Sequence, residues 1–153
     1  GSVEDRVAWD RLPPLMRSAG GNALSQWVKY KHDGRSYYRR MDNTGQYYLR
    51  VLDAPPEGVR QEAEIGICHY LHEKSDHVPF LAATSSHEEA LELYEAGVRY
   101  AIQTEYLASK SFRDLFAQEM AKDPKDAFRE VGKEHFEQTK QIQEGMGGIF
   151  SLV

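Results

Sequence analysis

Five polar residues at or just beyond the ends of apolar, strand-like runs are the first candidates for binding chemistry. "YLRVLD" ends at Asp53, "VPFLAAT" ends at Thr84 and "RYAIQT" ends at Thr104. Ligands of parallel α/β sheets bind beyond the carboxyl ends of the strands, where such residues meet. We therefore predict a ligand site that contacts ribose or phosphate through Asp53, Thr84, Ser85, His87 and Thr104.

The same stretch contains Ser85-Ser86-His87, which has the composition of a hydrolase site. Adjacent residues seldom form a catalytic pair, and the sequence has no G-x-S-x-G elbow. A helix cap at Ser86, with Glu89 completing a capping box, explains the serine without chemistry. No acid, base and nucleophile stand at catalytic spacing elsewhere, so we expect no enzymatic activity.

A cysteine and three histidines form the one cluster with metal-ligating side chains. Cys68, His69 and His72 fall within one predicted helical turn, and His77 is nearby. Zinc sites usually show two tight ligand pairs, whereas this is a single loose group. Cys68 also falls near the apolar face of the predicted helix and His69 does not. We predict a buried cysteine, solvated histidines and no metal.

The elements before residue 53 are predicted to be antiparallel strands. Asp33-Gly34 separates "QWVKYK" from "SYYRRM", which is a strong hairpin signal, and "DNTG" at 42–45 predicts a second turn. The expected meander of two or three strands is rich in tyrosine. Exposed tyrosines favour a protein interface, and a covered tyrosine core is the alternative.

The elements after residue 53 alternate between helix and strand. The spacing predicts strands over 78–84 and 99–104, and helices over 58–74, 86–96 and 109–122, with Gly97 ending the second helix. A last helix is expected from Pro124 to about Glu144, followed by a flexible hinge, "GMGGIFSLV". The alternation indicates an α/β fold: a partial Rossmann-like parallel sheet with flanking helices, preceded by the Tyr-rich antiparallel β-meander.

Residues 3–153 are expected to form one domain with three parts. These are a divergent amino-terminal part with a β-hairpin (3–47), a βαβαβα core (48–122) and a carboxyl-terminal helix and tail (123–153).

The amino-acid composition limits the kinds of partner that we expect this protein to bind. The net charge is −5, with acids and bases interleaved, which argues against a nucleic-acid surface. One cysteine excludes an internal disulfide framework and fits a reducing compartment. No run of about eighteen apolar residues is present, so we expect no membrane insertion. A soluble intracellular domain is the expectation.

The stretch "HVPFLAATSSHEEALELYEAGVRYAIQTEYLASKSFRDLF", residues 77–116, resembles the second half of RCK domains. These TrkA-N-type domains regulate potassium channels and cation–proton antiporters. The resemblance extends over roughly 48–140, with "AFREVGKEHFEQTK" as the trailing helix. It implies a non-enzymatic regulatory domain of a cation transport protein. It also implies a homodimer, a membrane transporter or another protein as partner, and a nucleotide such as NAD or an adenine nucleotide as ligand.

The first half departs from the RCK pattern. That family carries G-x-G-x-x-G after its first strand, where the glycines let the backbone approach a pyrophosphate. The nearest stretch here is residues 20–24, "GGNAL", which has no third glycine and no apolar strand before it. Asp42 is the only counterpart of the ribose-binding acid, and it falls in a predicted turn. We interpret this half as replaced or degenerate.

A second family shares the expected topology. "VLDAPPEG…VPFLAAT…GVRYAIQTEYL" is similar to response-regulator receivers, in which an Asp ends the third strand and a Thr or Ser the fourth. Asp53 and Thr84 match in type, but the lysine position reads Gln103-Thr104. The acidic pair of the first strand is also missing. Phosphoryl transfer to Asp53 would lack its charge stabilisation, so the alternative is a degenerate receiver-like binding module.

Overall fold

Six strands form one mixed sheet in which each strand lies beside its neighbour in sequence. The structure, a computed structural model, describes residues 3–7, 11, 26–32, 35–41, 47–52, 65–69, 71 and 77–151. The strands are β1 Val3–Val7, β2 Gln26–His32, β3 Arg35–Met41, β4 Tyr47–Leu52, β5 Phe80–Thr84 and β6 Tyr100–Gln103. β1 to β4 pair antiparallel, whereas β4, β5 and β6 pair parallel. The expected α/β fold class is confirmed, and the meander belongs to the same sheet as the parallel half.

Helices cover both faces of this sheet. They are α1 His87–Glu95, α2 Lys110–Met120 and α3 Arg129–Ser151. Residues 65–69 and 71, which we call the crossover helix, come between β4 and β5 in the sequence. α2 packs on one face through Phe112 and Phe116, and α1 packs on the other through Ala90 and Leu93.

Three predicted features around α1 are confirmed: the buried strand before it, the cap at Ser86 and the end at Gly97. β5 is buried along its whole length, as its continuous apolar run indicates. The Ser86 side chain caps α1 by accepting a hydrogen bond from the backbone N–H of Glu89. Gly97 has φ 106° and ends the helix, with the Val98 N–H donating to the carbonyl oxygen of Leu93.

The tyrosines of the meander belong mainly to the core. Tyr30, Tyr37 and Tyr38 are buried: Tyr38 packs in one of the two hydrophobic clusters, and Tyr30 and Tyr37 pack in the other. Tyr30 and Tyr37 stack with their ring centroids 5.1 Å apart. The covered-core alternative therefore holds for these three residues. β1 is an addition to the prediction, because residues 3–24 carry little periodicity.

The last helix, α3, begins later and ends later than the sequence predicts. The helix begins at Arg129 rather than Pro124, because Phe128 has φ 63° and interrupts the turn of residues 124–128. Glu119, which is fully buried, holds this break by accepting a 2.8 Å hydrogen bond from the Phe128 N–H. The predicted hinge at 145–153 was wrong as far as Ser151, which is still helical. Glycine costs a helix only about 1 kcal/mol relative to alanine and does not forbid it.

Candidate functional site

The carboxyl edge of the parallel strands brings together four of the five predicted site residues. Thr84 ends β5, and Ser85 and His87 lie at the start of α1. Thr104 follows β6, and both its N–H and its hydroxyl donate to the carbonyl oxygen of Thr84 at 3.0 Å. Asp53, the fifth, lies outside the described residues, as do Asp42 and the stretch 20–24.

The protein's own Glu89 carboxylate binds the hydroxyl groups at this carboxyl edge. Ser85 Oγ donates to Glu89 Oε2 at 3.2 Å, and Thr84 Oγ1 has two acceptors at 3.2 Å, Glu89 Oε2 and the carbonyl oxygen of Ser86. Glu89 is half-buried in the first turn of α1, where the helix N-terminus stabilises a negative charge. A phosphate at this edge would meet a carboxylate that already accepts from both hydroxyls.

The opposite edge contains an open cleft of about 420 Å³, a volume that is typical of small-molecule sites. We call it the amino-edge cleft, because it lies where β5 and β6 begin. Its lining residues come from β4, the crossover helix, the start of β5, α1, α3 and the segments that precede β5 and β6. The lining residues are Arg50, Cys68, Leu71, Val78, Phe80, Tyr94, Glu95, Gly97, Val98, Arg99, Arg129, Glu130, Gly132, Lys133 and Phe136.

Three arginines, Arg50, Arg99 and Arg129, line part of this cleft and donate hydrogen bonds to backbone carbonyl groups. Arg50 is 5% exposed, and its Nη1 donates to the carbonyl oxygen of Leu71 at 3.1 Å. Arg99 Nη1 donates to the carbonyl oxygens of Pro124 and Ala127, at 2.7 and 2.9 Å. These contacts orient the two guanidinium groups.

α3 closes one side of the amino-edge cleft through an aromatic joint with α1 and β6. The Tyr94 hydroxyl lies 2.6 Å from Nδ1 of His135, and the His135 ring stacks on Tyr100 with centroids 5.0 Å apart. Phe136 packs edge-on against Tyr94. We call Tyr94, Tyr100, His135 and Phe136 the aromatic joint.

The joint keeps its titratable groups neutral. Burial lowers the pKa of His135, and the nearby His87 lowers it further. Burial raises the pKa of Tyr94 well above its ordinary value, and burial together with Tyr106 raises the pKa of Tyr100 to about 12. A neutral His135 with Nδ1 unprotonated accepts a hydrogen bond from the Tyr94 hydroxyl group.

Gly132 sets the distance between α3 and the sheet. A Cβ at this position would overlap the carbonyl oxygen of Arg99. Only glycine therefore lets the helix lie this close to the start of β6, and that closeness brings His135 and Phe136 into the joint.

Sequence reasoning missed the amino-edge cleft, since its lining comes from segments far apart in the chain. One local signal was available: Arg50 interrupts the apolar run of β4, where a buried strand favours apolar residues.

Two members of the cysteine and histidine cluster, for which we predicted no metal, lie within the described residues: Cys68 is in the core and His69 is exposed. In the described part of the chain, no three His, Cys, Asp or Glu side chains are grouped to hold a metal ion.

Comparisons with protein-family models, curated proteins and solved structures found no match for this chain. Within the described ranges, no helix is both long and apolar enough to cross a membrane.

Proposed function

We propose that this protein is a non-enzymatic, RCK-like regulatory domain that binds a small molecule in the amino-edge cleft. Binding changes how firmly α3 docks on α1 and β6, and this change is the signal passed to a partner. The observation that carries the proposal is a shared wall: Tyr94 and Phe136 line the cleft and also form the aromatic joint.

Because Tyr94 and Phe136 belong both to the cleft and to the aromatic joint, a ligand in the cleft affects the position of α3. Gly132, Lys133 and Phe136 line the cleft from α3, while Tyr94 and Gly97 line it from the end of α1. A ligand between the two helices contacts both at once. Its binding free energy therefore differs between the docked and undocked arrangements, which is the requirement for a ligand to shift their populations.

The direction of the pKa shifts supports binding rather than catalysis. A general acid or base works best with a pKa near the operating pH. Burial moves the pKa values of Tyr94, Tyr100 and His135 away from neutrality, so these groups stay uncharged and serve packing.

The resemblance to RCK domains supports the regulatory role. It covers roughly residues 48–140 and so includes both β5–α1–β6 and the first half of α3. We propose on this basis that the domain acts as a homodimer in, or derived from, a cation transport protein. Nucleotides remain candidate ligands, with the amino-edge cleft as the proposed place of binding.

Thermal unfolding with hydrogen exchange tests this proposal. The compounds to be tested as ligands are NAD, NADH, ATP, ADP and AMP, together with small carboxylic acids and their amides. A ligand at 100 times its dissociation constant stabilises by about 2.7 kcal/mol, which raises the melting temperature by several degrees. We expect such a ligand to slow amide exchange in residues 129–139.

Two results would overturn the proposal. One is a stabilising ligand that leaves exchange in residues 129–139 unchanged, because binding would then not reach α3. The other is consumption of the ligand on prolonged incubation, measured by mass spectrometry, because the site would then be catalytic.

A further inference from the structure

We infer that α3 has two arrangements, which differ at Phe128. In the docked arrangement, seen in this structure, the helix is broken at Phe128. In the undocked arrangement, one continuous helix runs from Pro124 through α3, and α3 leaves α1 and β6. This inference rests on the proposed function, since it names the structural change by which α3 undocks.

The turn that precedes the break already has helical hydrogen bonds. The Lys125 N–H donates to Asp123 Oδ1 at 3.2 Å, which is the contact of a helix N-cap. The Ala127 N–H donates to the carbonyl oxygen of Asp123 at 3.0 Å, which is the α-helical pairing. Pro124 stands at the first helical position, where proline is favoured. The local sequence therefore favours the continuous helix.

Side chains bind the backbone groups that the continuous helix would pair with each other. That helix joins the N–H groups of residues 128–131 to the carbonyl oxygens of residues 124–127. The side-chain partners found there instead are Arg99 for the carbonyl oxygens of Pro124 and Ala127, Arg129 for that of Lys125, and Glu119 for the N–H of Phe128. Arg99 and Glu119 come from outside the turn, so tertiary contacts maintain the break.

The break has an unfavourable backbone and favourable packing. Phe128 has φ 63°, in the left-handed region that a side chain with a Cβ disfavours. Its ring is fully buried, with centroids 5.7 Å from both Tyr100 and Phe116. Buried Glu119, which binds the Phe128 N–H, also pairs with Lys122 at 2.8 Å. Local and tertiary preferences oppose each other at this residue, and an element with two arrangements requires such an opposition.

The amino-edge cleft contacts the break directly. Arg99 and Arg129 both line the cleft, and both donate to carbonyl oxygens of the turn 124–127. A ligand packed against these two side chains keeps them in place and so favours the broken, docked arrangement. Without the ligand, α3 is freer to continue the axis of the turn.

Proline at residue 130 distinguishes the two arrangements. Glu130 is exposed in the first turn of α3, where a backbone N–H has no partner within the helix, so proline is compatible with the docked arrangement. In the continuous helix residue 130 is interior, where proline disfavours the helix about a hundredfold.

Glu130→Ala is the matched control, because it removes the same charge and keeps the N–H. Amide exchange of residues 133–139, followed by mass spectrometry, should be at least about tenfold slower in Glu130→Pro than in Glu130→Ala.

Glu119→Gln tests the contact that maintains the break. Glutamine keeps the shape of the side chain but loses the charge, and a charge-assisted hydrogen bond is about twice as strong as a neutral one. Exchange of residues 133–139 should become about fivefold faster. Adding Glu130→Pro should slow it again, since proline blocks the continuous helix. Faster exchange that Glu130→Pro does not reverse would overturn the inference, because α3 would then loosen by local unfolding.

The outcomes separate this inference from the proposed function. Exchange in Glu130→Pro that is equal to or faster than in Glu130→Ala would overturn the inference. The regulatory proposal would still stand if a ligand slows exchange of residues 129–139 in the original protein. Slower exchange in Glu130→Pro, with no ligand that slows exchange in the original protein, would support the two arrangements and overturn the regulatory proposal.

Discussion

The two edges of the parallel strands carry opposite charge arrangements. At the carboxyl edge, where α/β sheets usually bind ligands, the Glu89 carboxylate accepts hydrogen bonds from Thr84 and Ser85. At the amino edge, a cleft of about 420 Å³ contains buried Arg50 and more cationic than acidic side chains among its described lining. This difference is the reason for which we propose the amino edge, and not the edge that topology favours, as the place of binding.

The largest expected effect on stability is at Gly132, because at this residue the backbone of α3 lies close to the backbone of Arg99. Gly132→Ala places a methyl group on the Arg99 carbonyl oxygen. We expect a loss of about 3 kcal/mol in the free energy of unfolding, because a fixed backbone atom cannot move aside as a flexible side chain can. Urea unfolding measures this loss.

Gly145→Ala is the matched control for Gly132→Ala. Gly145 lies in the same helix with open space where a Cβ would be. Alanine should stabilise the protein there by about 0.5–1 kcal/mol, through helix propensity alone. If Gly132→Ala stabilises the protein as Gly145→Ala is expected to do, the close contact between α3 and the backbone before β6 is not formed in solution.

The next effect, of about 1 kcal/mol, is expected at the carboxyl edge. Glu89→Ala removes the acceptor of two hydroxyl hydrogen bonds and a favourable charge at the N-terminus of α1. Glu88→Ala, at an exposed position in the same first turn, isolates the helix-dipole part, which is smaller. Equal losses for the two variants would show that Glu89 does not hold the hydroxyl groups.

The smallest effect is a dependence of stability on pH at the aromatic joint. The pKa of His135 is lowered in the folded protein, so the unfolded chain binds more protons between that value and about 6.5. His135 therefore contributes fully to stability above about pH 6.5, and the contribution is lost as the pH falls through its folded pKa. Tyr94, Tyr100 and His87 are the titratable groups that face it.

Urea unfolding between pH 5 and pH 8 measures this slope. His135→Phe should flatten the profile, while His69→Gln, at an exposed position, should leave it unchanged. A His135→Phe profile as steep as that of the original protein would show that other groups cause the dependence.

The features that the sequence predicted correctly are those that local signals determine. The cap at Ser86, the end of α1 at Gly97 and the buried strand β5 each depend on a few neighbouring residues. The pairing of His32 with Arg35 likewise leaves the two-residue connection that Asp33-Gly34 predicts.

The features that were missed depend on contacts between distant segments. The start of α3 is set by Glu119, which reaches the Phe128 N–H across the connection between two helices. The amino-edge cleft combines Arg50 with residues of α1 and α3 that lie more than forty positions away.

The central claim is that ligands bind at the amino edge and not at the carboxyl edge, and amide chemical shifts test it most directly. The protein, labelled with ¹⁵N, is titrated with AMP and with benzoate. The account predicts shift changes at Gly97, Val98 and Gly132, which border the cleft. Changes confined to residues 84–89 and Thr104 would contradict it and would return the site to the edge that the sequence first indicated.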